Sequence, residues 1–254
     1  PSCAFAPYQH QMAACLAVES ADRLSICSDS SCDSFRSALE IEPNMPSSRG
    51  VLGEARERWR SAASYLDPDG LRCDRLLDAS QTIVGLFDLL GTSVSSFSQE
   101  IKMNVQKLEN HLPCGASSVE QMVRDEISSM GTVQAAANKE GSATLALIWL
   151  ARYLRLVEDM LVTLVNRPEA SLSAAIMAGY ESHLKPHHGL FTRNAISLLI
   201  KAAPSRALFY SKIGIRSAWH PIVEAELGEL LTSYSAVMQH VDRFLIGLNL
   251  EARK

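Results

Sequence analysis

The stretch Ala143-Thr-Leu-Ala-Leu-Ile-Trp149-Leu-Ala-Arg152-Tyr-Leu-Arg155-Leu-Val157 is apolar around nearly the whole circumference of a helix, apart from its arginine positions. A helix of that kind is buried on most sides or lines an internal cavity. It does not cross a bilayer. Between Ala143 and Val165 the charges of Arg152, Arg155, Glu158 and Asp159 interrupt the run, and a span needs ~20 predominantly apolar residues. Within the stretch, Trp149 has two readings. A flat indole can lie under the apolar face of a sugar ring while its N–H finds a polar partner, but a lone Trp is more often ordinary core. Arg155 and Asp159, at i and i+4, read as a plain surface ion pair worth ~0.3–0.5 kcal/mol.

Outward from this helix the chain is helical almost throughout from Leu71, with helices expected over about 71–90, 97–111, 117–138, 142–166, 170–185, 187–203 and 219–247. Gly91, Pro113-Cys-Gly115, Gly141, Pro168 and Pro204 separate them. Strand alternation and internal repeats are lacking, so the expected fold class is all-α. Upstream, a charged helix over Glu54–Tyr65 stops at Asp67-Pro68-Asp69-Gly70, a turn signal. Residues 1–50 carry Ser-Asp-Cys clusters and the breakers Pro43, Asn44, Pro46 and Gly50. The domain reading is a loosely ordered N-terminal extension at 1–50, a connecting helix and turn at 51–70, and one functional domain at 71–254.

Composition removes several functions. Of 254 residues, 47% are apolar and only 6% aromatic, and the formal charge is −4. That charge offers no field for a polyanion, so nucleic acid is not an expected partner. Six cysteines at 3, 15, 27, 32, 73 and 114 form no CxxC pair and have no His at metal spacing. They read as free thiols in a reducing, cytoplasmic setting, with neither metal nor cofactor implied. No nucleophile elbow, P-loop or GxGxxG is present, which disfavours hydrolase and nucleotide chemistry.

Two more stretches carry polar groups in a pattern. In Glu100-Ile-Lys-Met-Asn104-Val-Gln-Lys107, the residues Glu100, Asn104 and Lys107 share one helical stripe, with Ile101, Val105 and Leu108 beside it. The stripe can present acceptor, amide and donor to one polyhydroxylated head, or simply be the wet side of an amphipathic helix. In Gly179-Tyr180-Glu-Ser-His183-Leu-Lys-Pro186-His187-His188-Gly189, adjacent histidines on a helix point about 100° apart. His187 and His188 are therefore not expected to face one site. His183 and His187 have zinc spacing without the Glu that hydrolytic zinc sites require.

Taken in order, these stretches resemble the glycolipid transfer protein family. Leu86-Phe-Asp-Leu-Leu-Gly91-Thr looks like the helix end before the family's head-group helix. Glu100-Ile-Lys-Met-Asn104-Val-Gln-Lys107 is similar to its D-I-x-x-N-x-x-K motif. Ala143-Thr-Leu-Ala-Leu-Ile-Trp149-Leu-x-Arg152 resembles A-T-L-A-L-x-W-L-x-R, and Tyr180-Glu-x-x-Leu184-x-x-x-His188-Gly189 resembles Y-E-x-x-L-x-x-x-H-G. The resemblance spans about 76–204.

It implies a two-layer helical sandwich without cofactor, metal or catalysis, acting as a monomeric carrier or sensor of one glycosphingolipid or other ceramide-based lipid. Contact with membranes would be peripheral and transient. Carried over by position, Trp149 is the sugar platform, Asn104 and Lys107 hold sugar hydroxyls, Glu100 holds the ceramide amide and His188 the acyl carbonyl. Arg152 joins the head-group set, and Ile101, Val105, Leu145, Ile148 and Leu184 line the tunnel for the tails. The branch that carries ceramide phosphate has cations where this chain has Trp149, so a sugar head is favoured. Arg152, Arg155 and Lys107 keep the phosphate alternative open. A helical interaction module that has lost its lipid site is the rival of a different class.

The sequence also departs from the family pattern. Glu100 replaces Asp, Tyr153 stands where Gly is common, and Leu190 occupies the position of a Trp associated with membrane docking. Pro186 replaces Lys and predicts a helix break just before His188.

Overall fold

A computed structural model describes residues 50–67, 70–91, 94–112, 118–213 and 221–251. The reading of 1–49 as an extension lies outside the described residues, as do Pro68, Asp69 and five of the six cysteines. The remaining thiol, Cys73, is buried, and burial pushes it up to about 12.

The elements run α1 (Val51–Ser64), β1 (Leu66–Asp67), β2 (Gly70–Leu71), α2 (Cys73–Leu90), α3 (Ser95–Glu109), α4 (Val119–Met130) and α5 (Val133–Asn138). There follow α6 (Ala143–Asn166), α7 (Leu172–His183), a 3-10 turn (Lys185–His187), α8 (Leu190–Lys201), α9 (Arg206–Lys212) and α10 (Pro221–Gly247). The strands pair over two residues each and serve only to reverse the chain. Five helices start at a Ser or Thr (Ser118, Thr132, Ser142, Ser171, Ser205) whose hydroxyl accepts a backbone N–H in the first turn. Each satisfies a donor that would otherwise lack a partner.

Three expectations change. The single helix expected over 117–138 is two, because Gly131 takes a left-handed φ of 80° and Thr132 starts a new helix. α9 was not expected, since seven residues between Pro204 and Ile213 carry too little periodicity to read. The stretch 51–70, read as a connector, contributes to the core. Leu52, Ala55, Trp59 and Ala62 form a buried stripe on an otherwise charged helix, and Trp59 stacks on Tyr234 with centroids 3.9 Å apart.

The helices form a two-layer all-α sandwich. α6 packs on α3, α7 and α10, while α1 lies between α10 and α2, and α2 carries α3. α7 approaches α6 closely at Gly179, where a Cβ would stand 2.5 Å from the Leu156 carbonyl oxygen. Eighteen of the 24 residues of α6 are buried, as the apolar circumference of its sequence demands.

Both ends of α6 are tied. At the N-terminus the Glu126 carboxylate accepts from the N–H groups of Ala143 (2.8 Å) and Thr144 (2.7 Å) and from the Thr144 hydroxyl (2.5 Å). At the C-terminus the Arg206 guanidinium donates to the carbonyls of Leu164, Arg167 and Ala170. An anion at the start and a cation at the end are the signs that the helix dipole favours.

Candidate functional site

The polar stripe of α3 faces inward. Glu100 is 3% exposed and Asn104 fully buried, Lys107 is half-buried, and the wet side of the helix is formed instead by Gln99, Lys102 and Gln106. The amphipathic-surface reading of Glu100 and Asn104 is thereby corrected. Period alone could not decide it, because polar and apolar stripes run side by side and both are buried. The Asn104 amide donates to the Glu100 carbonyl at 2.8 Å. Burial raises the Glu100 carboxyl to about 7 against the opposing pull of Lys107, and its Oε2 has no hydrogen-bond partner. Burial likewise lowers the Lys107 ammonium, opposed by Glu100 and Glu140.

A second group gathers on Trp149, which is 2% exposed. The His188 ring lies nearly parallel to the indole, with centroids 5.9 Å apart and planes 16° from each other. The Arg152 guanidinium carbon stands 5.0 Å from the indole centroid. The His187 ring meets Trp149 edge-on at 6.2 Å. Both histidines thus reach one site, contrary to the helical geometry expected of them. The reason is the break at Pro186: α7 ends at His183, a 3-10 turn carries His187, and His188 follows in extended conformation. Arg193 holds that turn by donating to the Lys185 carbonyl at 2.8 Å.

His188 is 4% exposed, and its Nδ1 is 3.3 Å from the Tyr180 hydroxyl. Burial, then the charges of Arg152 and Arg193, lower the imidazole to about 4, so the ring is neutral near pH 7. In the tautomer in which Tyr180 donates to Nδ1, the proton of the neutral ring sits on Nε2 and can be donated to a ligand carbonyl. Arg152 donates from Nε to Glu251 at 2.6 Å, while its Nη1 has no partner. Burial disfavours the Arg152 charge, and Glu251 restores part of it.

The helices that carry the two groups pack on each other, and α3 runs antiparallel to α6. The Phe97 and Tyr153 rings lie 6.2 Å apart near one end, and Glu140 acts on Lys107 near the other, so Glu100 and Asn104 lie between these two points along α3. Tyr153 is buried and fills the space between Phe97 and Trp149. The tunnel candidates Ile101, Val105, Leu145, Ile148 and Leu184 are all buried in one apolar cluster.

Other expectations for the chain change as well. Arg155 does not pair with Asp159; it binds Glu158 and Asp242, and Asp159 instead holds His183 Nε2 at 2.8 Å. Glu251, Tyr180 and Arg193 also border the group around Trp149. Tyr180 belongs to the Tyr180-Glu-x-x-Leu184 stretch, whereas nothing in local sequence connects Glu251 to Arg152, 99 positions away. Among the described residues no group of three or more His, Cys, Asp or Glu stands together as metal ligands, and no helix is long and apolar enough to cross a membrane. On α8, next to the site, Leu190, Phe191 and Leu198 are 76%, 75% and 70% exposed.

A buried indole flanked by a neutral imidazole and a guanidinium, on a helix packed against one that carries a buried amide and carboxyl, is equipped to bind by stacking and hydrogen bonding. The family described as glycolipid transfer protein matches residues 71–215. A glycolipid transfer protein of Aureobasidium melanogenum is 27% identical over 175 residues, covering 67% of this chain and 81% of that protein. Glycolipid transfer protein 2 of Arabidopsis thaliana is 23% identical over 169 residues, 65% of this chain and 74% of that one. Among solved structures, the fungal glycolipid transfer protein HET-C2 superposes with a TM-score of 0.60 at 25% identity, covering 70% of this chain and 86% of that one. The human ceramide-1-phosphate transfer protein, bound to 12:0 ceramide-1-phosphate, superposes at 0.70 with 19% identity, covering 82% and 100%. At that identity the second likeness speaks for the fold alone.

Proposed function

This chain belongs to the glycolipid transfer protein family, and from that premise we propose that it is a carrier, not an enzyme, that takes one glycosphingolipid from a membrane and shields its tails. The observation that carries the reading is the set around Trp149, a stacked His188 and an Arg152 with a spare N–H, joined by a buried Glu100 with a spare oxygen on the packed helix α3.

In this reading the sugar lies against Trp149, Asn104 and Lys107 bind its hydroxyls, Glu100 accepts the ceramide N–H and His188 donates from Nε2 to the acyl carbonyl. Trp149 is covered by Arg152 and His188, so the sugar enters by parting one of them from the indole. The tails enter the core past Ile101, Val105, Leu145, Ile148 and Leu184. Two lipid chains bear some ~30 methylenes at ~0.8 kcal/mol each, which holds the lipid in its bilayer unless an equally dry interior receives it. Because bilayer and interior are both apolar, selection falls to the head group. The exposed Leu190, Phe191 and Leu198 supply the face that touches the bilayer. The carrier then works at the membrane surface without spanning it.

The test is transfer of a fluorescent hexosylceramide between vesicles. Trp149→Ala and Asn104→Ala each nearly abolish it, and unchanged rates in both would remove the site assignment. Leu190→Ser with Phe191→Ser weakens vesicle binding while leaving the head-group site intact. A second reading, a ceramide-phosphate carrier, draws on the cations Arg152, Arg193 and Lys107 near the site. Transfer of ceramide phosphate in preference to hexosylceramide would favour it.

A further inference from the structure

Arg152 is a cation whose side chain is only 9% exposed, and the acidic group that reaches it is Glu251, itself 25% exposed. That contact is built by the end of α10. The helix closes with Leu250 N–H on the Leu245 carbonyl at 2.9 Å, and Asn249 takes the left-handed φ of 56° that turns the chain back. Glu251 is thereby returned to α6, with one oxygen 2.6 Å from Arg152 Nε. The guanidinium is not saturated, since Nη1 is buried and has no partner. Its neighbours are the Trp149 ring and the His188 ring, on which Arg152 and Arg193 both act as positive charges.

An unsaturated guanidinium beside the head-group platform is a docking point for an oxyanion, because its planar fork matches phosphate or sulfate oxygens two at a time. Glu251 holds the edge of that fork. We propose that Glu251 sets the choice between neutral and anionic head groups, by occupying Arg152 in place of a lipid phosphate. This rests on the carrier reading above. A sugar leaves the Arg152–Glu251 pair in place and uses the indole and the α3 polar groups. A phosphate has to expel Glu251 or lie beside its like charge in a poorly hydrated pocket. Selectivity therefore comes from repulsion as well as from attraction to the preferred ligand.

The experiment measures transfer of a fluorescent hexosylceramide and a fluorescent ceramide phosphate, in separate assays, by the full chain and its variants. The readout is the ratio of the two rates, in which a uniform loss of folded protein cancels. Glu251→Gln keeps an oxygen for Arg152 Nε but removes the charge, and it raises the phosphate-to-sugar ratio about tenfold, the size of one charge-assisted hydrogen bond. Adding Arg152→Gln to Glu251→Gln returns the ratio to the wild-type value or below. An unchanged ratio in Glu251→Gln overturns the proposal, and so does an equal rise in the double variant. A wild-type chain that transfers neither lipid defeats the carrier reading itself, a result distinct from an unmoved ratio.

Discussion

Trp59 and Trp149 are equally hidden, at 0% and 2% exposure, yet their surroundings have nothing in common. Trp59 lies flat on Tyr234 at 3.9 Å, and the Tyr234 hydroxyl donates to the Leu154 carbonyl at 2.8 Å, so one aromatic cluster locks α1, α10 and α6 although the Trp59 Nε1 has no hydrogen-bond partner. Trp149 lies among a neutral histidine and a partly satisfied arginine, on the helix facing a raised carboxyl. A close-packed core does not tolerate unmet buried donors and acceptors without cost. Burial alone thus fails to separate a structural Trp from a ligand platform. The chemistry of the neighbours separates them: a tyrosine whose hydroxyl is bonded lies on Trp59, an imidazole and a partly bonded guanidinium lie on Trp149.

The largest contrast is expected from truncating each ring. Trp59→Ala lowers the unfolding free energy by about 3–5 kcal/mol, read from the denaturant midpoint, and leaves transfer per folded molecule at the wild-type level. Trp149→Ala loses transfer at a smaller cost in stability, because water can solvate the Arg152 and His188 groups that the ring covered. Equal stability losses with equal transfer losses would erase the distinction.

A second contrast lies in pH. The Glu100 carboxyl is raised from its ordinary 4.5 to about 7, so the stability linked to it is full below 4.5 and lost as pH rises through 7. The His188 imidazole is lowered from 6.5 to about 4, so its contribution is full above 6.5 and lost as pH falls through 4. Between about 4.5 and 6.5 the two oppose each other, which flattens the wild-type profile. Glu100→Gln exposes the histidine limb, and stability then climbs with pH across that window by on the order of 2–3 kcal/mol. His188→Gln exposes the opposite slope. Denaturation midpoints at pH 4.5, 5.5 and 6.5 check both, and parallel profiles for the two variants would contradict the assignment.

The smallest contrast pairs two helix glycines. Gly179→Ala sets a methyl against the Leu156 carbonyl and separates α7 from α6, at about 1–3 kcal/mol, with transfer falling as His188 moves. Gly85→Ala in α2 meets nothing within 4 Å and gains ~0.5–1 kcal/mol from helix propensity. Thermal melts of the two variants should move in opposite directions.

Much of this was legible in the chain. The circumference of α6, the break at Pro186 and the inward run of Leu and Ile residues are local properties, and local periodicity reports them well. The side of α3 that faces the core was not readable, because two stripes with the same period differ only in what other helices place against them. The packing role of α1 is hidden for a related reason: its charges dominate the pattern, while four apolar positions do the packing. The histidine pair was misjudged because helical geometry was carried past the point where the helix stops. The link between Glu251 and Arg152 depends on a turn at Asn249 and a contact between distant helices, which no window of sequence contains.

The carboxylate of Glu126 and the guanidinium of Arg206 grip opposite ends of α6, and this decides which wall of the site is free to yield. A beam clamped at both tips cannot swing, so Trp149 and Arg152 act as the anvil. The jaw is the short span from Leu184 to Gly189, joined to α7 by a broken helix and steadied from α8 by Arg193. In the carrier reading, admission of a guest would be a hinge event at Pro186, and the exposed α8 that begins two residues beyond His188 would be the lever that a bilayer pushes.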